Sequence, residues 1–376
     1  MKIGLNLLHA GPQIGGSWNY IGNLLSVIGQ FDPSNEYIAF VTSRSRDLLP
    51  EKPNFTMVQG KLRGANRPQR IVYENTVLQF LARKYKLDCM HWFANTQAVI
   101  NAVPAVVTIY DLLMFRKNAS YSPWKRYYLR HMISATVRRA AVLLPMSLST
   151  AEELQSRLNA QPSRLIVIPA IVDDRFAPAE RASIEAFRAS RNLPDRYWLY
   201  VAHFYPHKNH VRLLQAYAEL KKSGLGPWPL VFRGDSRCAE SEIQEAIRRY
   251  RLEKDVVFIP RQALAELALL YSGAAALIFP STYEGGGMPV AEAMACGCPI
   301  AAASIPAVRE SVGDCALLFD PLDFASIGAA MAKLQLDPLL RETMRRNGLA
   351  QVESFRSRNV VGSLLEAYSR AASFPS

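Results

Sequence analysis

The order of its hydrophobic runs limits this chain more than any other feature. Short apolar stretches of strand length alternate with helical periodicity along the sequence. Apolar runs at 3–8, 37–42, 105–109 and 165–168 read as strands, with helices expected at 20–28 and 123–142. The rhythm lapses at 174–196, a charged stretch containing Pro178 and Pro194, and then restarts. Strands are expected at 198–202, 230–233, 256–259 and 275–279, with helices at 209–222, 241–250, 264–272 and 289–296 between and after them. Repeated βαβ units predict parallel sheets covered on both faces by helices. The fold class is therefore α/β, with two Rossmann-like doubly wound domains at 1–185 and 186–352. A length of 376 residues fits two such domains. Helices at 326–334, 338–352 and 358–372 complete the reading. Two such domains facing each other would leave a cleft at the carboxyl ends of their strands, where open α/β sheets bind ligands.

Composition excludes other classes. With 49% hydrophobic and 20% charged residues, the chain is neither a disordered nor a collagen-like polymer. The longest uncharged stretch, from Glu266 to Glu284, is broken by Ser272, Gly273 and Pro280 and predicts no membrane span. Residues 1–8 end too soon before Gly11 and Pro12 to form a signal peptide, and read as a buried strand of a cytoplasmic protein. Cys89, Cys238, Cys296, Cys298 and Cys315 are odd in number and lack a C-x2-C pair, which argues against a disulfide framework or a zinc knuckle.

A formal charge of +12 calls for an anionic partner. Between Asp111 and Glu152 there is no acid, while Arg116, Lys117, Lys125, Arg126, Arg130, Arg138 and Arg139 accompany Phe115, Tyr121, Trp124, Tyr127 and Tyr128. Ser122 and Pro123 predict a helix start there. Leu129, Met132, Ile133 and Val137 form its apolar face, leaving Trp124, Lys125, Arg126, Tyr127, Tyr128 and Arg130 to point outward. Such a face suits an anionic membrane surface, or is simply a solvated helix with aromatics packed inside. No motif that reads DNA or RNA accompanies the charge, so nucleic acid is not an expected partner.

The chemistry concentrates in 281–300, STYEGGGMPVAEAMACGCPI, which runs from a strand through glycines into a helix with Pro289 near its start. Gly285, Gly286 and Gly287 let backbone N–H groups approach a ligand, and the helix start favours a diphosphate. Glu284 and Glu292 each offer two oxygens to a vicinal diol. The same residues would also make an ordinary turn and a favourable first-turn acid. Here the segment resembles the E-x7-E motif of the retaining, GT-B-fold glycosyltransferase family 4, whose members use nucleotide-sugar donors. The resemblance extends to residues 304–310 and 313–321, to Tyr200-Val201-Ala202 with Pro206-His207-Lys208-Asn209, to Gly15-Gly16, to residues 108–112 and to Ile168-Pro169.

Carried over, the resemblance implies that Glu284, with Gly285, Gly286, Gly287, Met288 and Pro289, holds the donor hexose, and that Glu292 holds the ribose. Lys208 would neutralise the leaving diphosphate, although a lysine at a helix start is equally a solvated one. Gly15 and Gly16 would bring backbone to the diphosphate, and Tyr110 and Asp111 would act at the reaction centre. The C-terminal segment, 353–376, would pack back on the N-terminal domain, which would bind the acceptor.

Two positions depart from the pattern. Tyr110 stands where the family often has histidine, and His203 where it often has an arginine before the lysine turn, a loss that Arg233 or Arg261 would have to cover. His203, His207 and His210 do not form a metal cluster on this reading, because Pro206 interrupts any helix aligning them, and the family needs no metal there. No cofactor beyond the nucleotide-sugar co-substrate is expected. His91, and likewise His9, read as strand-end residues lining the cleft.

Phrases such as YEGGGMP and PHKN are most similar to bacterial mannosyl- or rhamnosyltransferases of O-antigen assembly. They imply a GDP-sugar donor first and a UDP-sugar second, a lipid-linked glycan acceptor, and attachment to the inner face of the cell membrane. A sugar-nucleotide epimerase and a non-catalytic nucleotide-sugar-binding subunit remain as alternatives.

Overall fold

Ile3 and Leu5 are fully buried in a strand flanked on both sides by others, and the first half of the chain is built outward from that strand. The computed structural model describes residues 1–11, 16–60, 62, 66–116, 121–260 and 264–374. Two units emerge, one of Met1–Arg116, Tyr121–Ile171 and Phe355–Ser376, the other of Val172–Ser354.

The first unit runs β1 (Lys2–Asn6), α1 (Gly16–Phe31), β2 (Glu36–Val41), β3 (Phe55–Gln59), α2 (Arg67–Asn75) and α3 (Val77–Lys84). It continues with β4 (Cys89–Trp92), β5 (Ala105–Ile109), α4 (Pro123–Arg139), β6 (Val142–Pro145) and α5 (Leu148–Leu158). The second unit contains α6 (Arg181–Arg191), β7 (Trp198–Val201), α7 (His210–Lys222), β8 (Leu230–Arg233), α8 (Glu240–Tyr250), β9 (Val256–Ile259) and α9 (Leu264–Gly273). It closes with β10 (Ala276–Phe279), α10 (Met288–Ala295), β11 (Ile300–Ala303), α11 (Pro306–Val312), β12 (Leu317–Phe319), α12 (Phe324–Leu336) and α13 (Pro338–Gln351). The last helix, α14 (Ser357–Ala372), returns to the first unit and packs on α1 and on strands β4, β5 and β6.

Both sheets are entirely parallel and six-stranded, in the orders β3-β2-β1-β4-β5-β6 and β12-β11-β10-β7-β8-β9. Strands β4 to β7, β10 and β11 are buried along their whole length, as expected of apolar runs covered on two faces. Each fully buried Val, Leu, Ile or Phe contributes about 1.5–3 kcal/mol of transfer free energy. Local signals set the helix ends. Ser147 Oγ caps α5 by accepting from Thr150 N, and Asp337 Oδ1 caps α13 by accepting from Leu340 N. Asn159 and Asn192 close α5 and α6 in the left-handed region, which asparagine tolerates better than most residues.

The structure corrects several expectations. The helix expected at 123–142 ends at Arg139, because Ala140 is extended and Val142 opens β6. A short apolar run after a helix has the composition of more helix, and only the sheet pairing distinguishes the two. Residues 165–168 form no strand; Ile166 N and Ile168 N donate to Leu143 O and Pro145 O beside β6, and the pairing goes no further. The charged stretch at 174–196 contains α6, which rests on α9 with Phe187 as its buried contact, so the expected boundary at 185 falls inside a helix of the second unit.

Candidate functional site

In the second sheet the strand order reverses between the neighbours β7 and β10, and in an open α/β sheet the carboxyl ends at such a switch point form the ligand crevice. The lysine turn follows β7 and the glycine loop follows β10. Lys208 Nζ donates to Glu284 Oε1 at 2.6 Å, with both side chains largely buried. Further hydrogen bonds stitch the two loops together. Thr282 N and Thr282 Oγ1 donate to His207 O at 2.8 and 3.1 Å. The Tyr200 hydroxyl donates to Lys208 O at 2.6 Å and lies 3.1 Å from Ser281 Oγ. Asn209, in the left-handed region at φ 63°, donates to Pro280 O and Pro321 O.

The glycine loop enters α10 through Gly287 at φ 60°, a conformation that disfavours other residues, and an added Cβ there would meet Ser311 Oγ at 3.0 Å. Met288 and Pro289 begin the helix; Pro289 carries no N–H, and Val290 N and Ala291 N donate back to Gly287 O at 3.0 and 3.2 Å. Glu292 is buried one turn in, and Tyr271 OH donates to its Oε2 at 2.9 Å. Burial lifts the Glu292 carboxyl to about 7; the Tyr271 bond and the Arg233 charge oppose the rise, and Asp173 adds to it. The structure thus brings Arg233 beside Glu292, whereas His203 turns to the β8 end, its Nδ1 accepting from Asp235 N at 3.1 Å. His207 is driven to about 4 by burial and the Lys208 charge, and His210 to about 3 by burial among the rings of Tyr200, Phe204 and Phe232. Arg261 lies outside the described residues, as does Gly15.

In the first unit, Gly16 opens α1, and an added Cβ there would meet nothing within 4 Å, so packing does not require the glycine. The Tyr110 hydroxyl is buried without a hydrogen-bond partner, its ring edge-on to Tyr20 at 5.6 Å. Asp111 Oδ1 accepts from Leu113 N at 2.8 Å. His91 lines no cleft. It is fully buried within β4, with Nδ1 2.9 Å from Tyr368 OH, Nε2 2.8 Å from Thr108 Oγ1 and the ring stacked on Phe93, which ties α14 to the sheet. His9 Nδ1 is also buried and has no partner.

Residues 183–351 match the family model described as glycosyl transferases group 1. The chain carries a group 1 glycosyl transferase domain. It is 27% identical over 266 residues to O-antigen chain mannosyltransferase B of Escherichia coli, covering 70% of each protein. It is 26% identical over 251 residues to the E. coli serotype-specific mannosyltransferase WbdA, of whose length it spans 31%. Among solved structures, sucrose-phosphate synthase from Thermosynechococcus elongatus superposes with a TM-score of 0.79 at 20% identity over 98% of both chains. The fold is GT-B, and the chain is a glycosyltransferase.

In this glycosyltransferase the basic helix α4 differs in part from expectation. Trp124 and Tyr127 are 84% and 69% exposed. Arg126 and Arg130, expected to face outward, instead turn back, their Nε atoms donating to Met114 O at 3.1 and 2.8 Å. Three unfilled carbonyls of a short turn attract them more than open solvent does, because Phe115 O also accepts from Arg130 and Arg116 O from Arg126. No helix among the described residues is long and apolar enough to cross a membrane.

Sequence reasoning missed Tyr271 and Gly234. Tyr271 follows Leu267 and Leu270 at helical spacing and reads as core. Gly234 lies where an added Cβ would stand 1.9 Å from Ala202 O, a contact between adjacent loops that no local pattern encodes.

Proposed function

We propose that the chain moves a hexosyl group, mannose first and rhamnose second, from a nucleotide-diphosphate sugar to a hydroxyl of a growing lipid-linked glycan, with retention at the anomeric carbon. One observation carries the reading: Lys208 and Glu284 meet where the loops after β7 and β10 come together, and the loop after β10 leads into α10, which carries Glu292. The helix start and the Lys208 ammonium would hold the diphosphate and stabilise the charge that grows on the β-phosphate. Glu284, with the backbone at Gly285, Gly286 and Gly287, would bind the hexose hydroxyls. Glu292 would take the ribose diol, with Arg233 nearby in the place of the family's arginine. The bond from C1 to the diphosphate oxygen breaks, the acceptor oxygen bonds C1 on the same face, and its proton passes to the departing phosphate. On this scheme the charge is met by protein groups and no metal is required.

The mannosyltransferase relatives support mannose, and the PHKN and YEGGGMP phrases support a GDP donor ahead of UDP. The exposed Trp124 and Tyr127 on a helix free of acids support peripheral attachment to an anionic membrane surface from the cytoplasmic side. Incubating GDP-mannose or a UDP-hexose with the protein, with and without lipid-linked acceptor, tests the reading. Glycosyl transfer only with acceptor supports it. Conversion of donor without acceptor would make the protein an epimerase, and nucleotide binding with neither outcome would make it a silent subunit.

A further inference from the structure

Beside the C-terminal half of α4, away from the carboxyl ends of the strands, the first unit contains a cavity of about 120 Å³. Its back wall is Gln97, 5% exposed, whose Nε2 and Oε1 both lack a hydrogen-bond partner. This isolation is built rather than loose. Gln97 N donates to Thr136 Oγ1 at 3.2 Å, Arg139 Nη1 donates to Val99 O at 2.6 Å, and Val99 N donates to Asn75 Oδ1 at 2.7 Å. The backbone is pinned on both sides of an amide that still needs a donor and an acceptor. A buried amide left in that state calls for an explanation, which a molecule bound in the cavity would supply.

The rim indicates which molecule. Arg138 and Arg139 line the cavity, and no carboxylate does so among the described residues. Trp124, Tyr127, His131 and Arg138 follow one another three, four and seven residues apart, along one stripe of α4, with Tyr127 and His131 stacked at 6.5 Å. Val99, which also lines the cavity, is 47% exposed, and its chain neighbour Ile100 is 75% exposed. Guanidinium groups, an amide wanting both partners and apolar side chains beside the mouth together match a phosphodiester with a free hydroxyl, attached to an acyl chain.

We infer that this cavity is a head-group site for an anionic phospholipid of the phosphatidylglycerol type, in which Arg138 and Arg139 meet the phosphodiester and the Gln97 amide pairs with a head-group hydroxyl. The inference rests on the membrane part of the proposed function and gives it a specific lipid.

The test compares binding of the full chain to vesicles of phosphatidylglycerol in phosphatidylcholine with vesicles of phosphatidylmethanol at equal charge, which has the phosphodiester but no hydroxyl. The wild-type protein is expected to bind phosphatidylglycerol about fivefold more tightly. Gln97→Leu and Ala135→Phe, which remove the amide and fill the cavity, are each expected to abolish that preference while retaining the thermal shift given by a nucleoside diphosphate. Equal binding of the wild type to both lipids overturns the inference while leaving general membrane attachment intact, and a preference that survives in both variants also overturns it. Failure to bind any anionic vesicle overturns it together with the membrane part of the reading. Protection by soluble glycerol phosphate without vesicle binding would make the site one for a free phosphate ester and likewise overturn it.

Discussion

Lys208 Nζ and Glu284 Oε1 lie 2.6 Å apart although 76 residues separate them, joined because their loops follow adjacent strands. The pair satisfies two charges that would otherwise be buried alone, and it holds the amine and the carboxylate ready for a ligand.

Lys208→Ala and Glu284→Ala should each lower kcat by at least about 100-fold, the scale for losing one preorganised group that meets developing charge. The double variant should lose less than the sum, because each single change already leaves its partner uncompensated. Steady-state transfer kinetics with a circular-dichroism control for folding check this; an unimpaired single variant excludes the assigned roles.

Nucleotide affinity should rise with pH through neutrality. Burial raises the Glu292 carboxyl from its ordinary 4.5 to about 7, so the folded protein favours the protonated acid, and stability on this account falls as pH climbs from about 4.5 to 7. The carboxylate that accepts two bonds from a diol appears only in the upper part of that range. Titration calorimetry with a nucleoside diphosphate from pH 6 to 8 should show the step, and Glu292→Gln should flatten it.

Acid should weaken the second unit through His210. Its pKa falls from 6.5 to about 3 on burial, so the ring is neutral in the fold. The associated stability is complete above 6.5 and is lost as pH falls toward 3, at about 1.4 kcal/mol per pH unit. Both ring nitrogens lack partners, so His210→Phe should also gain about 1 kcal/mol at pH 7. Urea unfolding at pH 7 and pH 5 gives both quantities, and an unchanged acid slope in the variant would discard the assignment.

Gly234→Ala should destabilise the protein by at least about 1–3 kcal/mol, the cost of overpacking, because the new methyl would overlap Ala202 O. Since residue 202 leads into the lysine turn, donor affinity should fall as well. Nucleotide binding that matches wild type at a lowered melting temperature would confine the effect to packing.

How much of this was legible beforehand depends on the range of the signal. The strand and helix rhythm, the glycine loop and the spacing of Glu284 from Glu292 are local, and both sheets follow from them. The pairing of Tyr271 with Glu292 joins two helices 21 residues apart, and Tyr271 looks like any core aromatic in sequence. His91 was read as a strand end because its partners, Thr108 and Tyr368, are 17 and 277 residues away. Arg126 and Arg130 have the pattern of solvated charges, and only the tight turn at Met114 draws them inward.

Tyr368 and Leu364 are wholly buried in the first unit, yet they are supplied after all of Val172–Ser354 has been made. Synthesis finishes the second unit before α14, so α14 can dock on the amino-terminal sheet only after that. Removing Ser357–Ala372 would strip a buried cover from the strands made first rather than trim a loose segment.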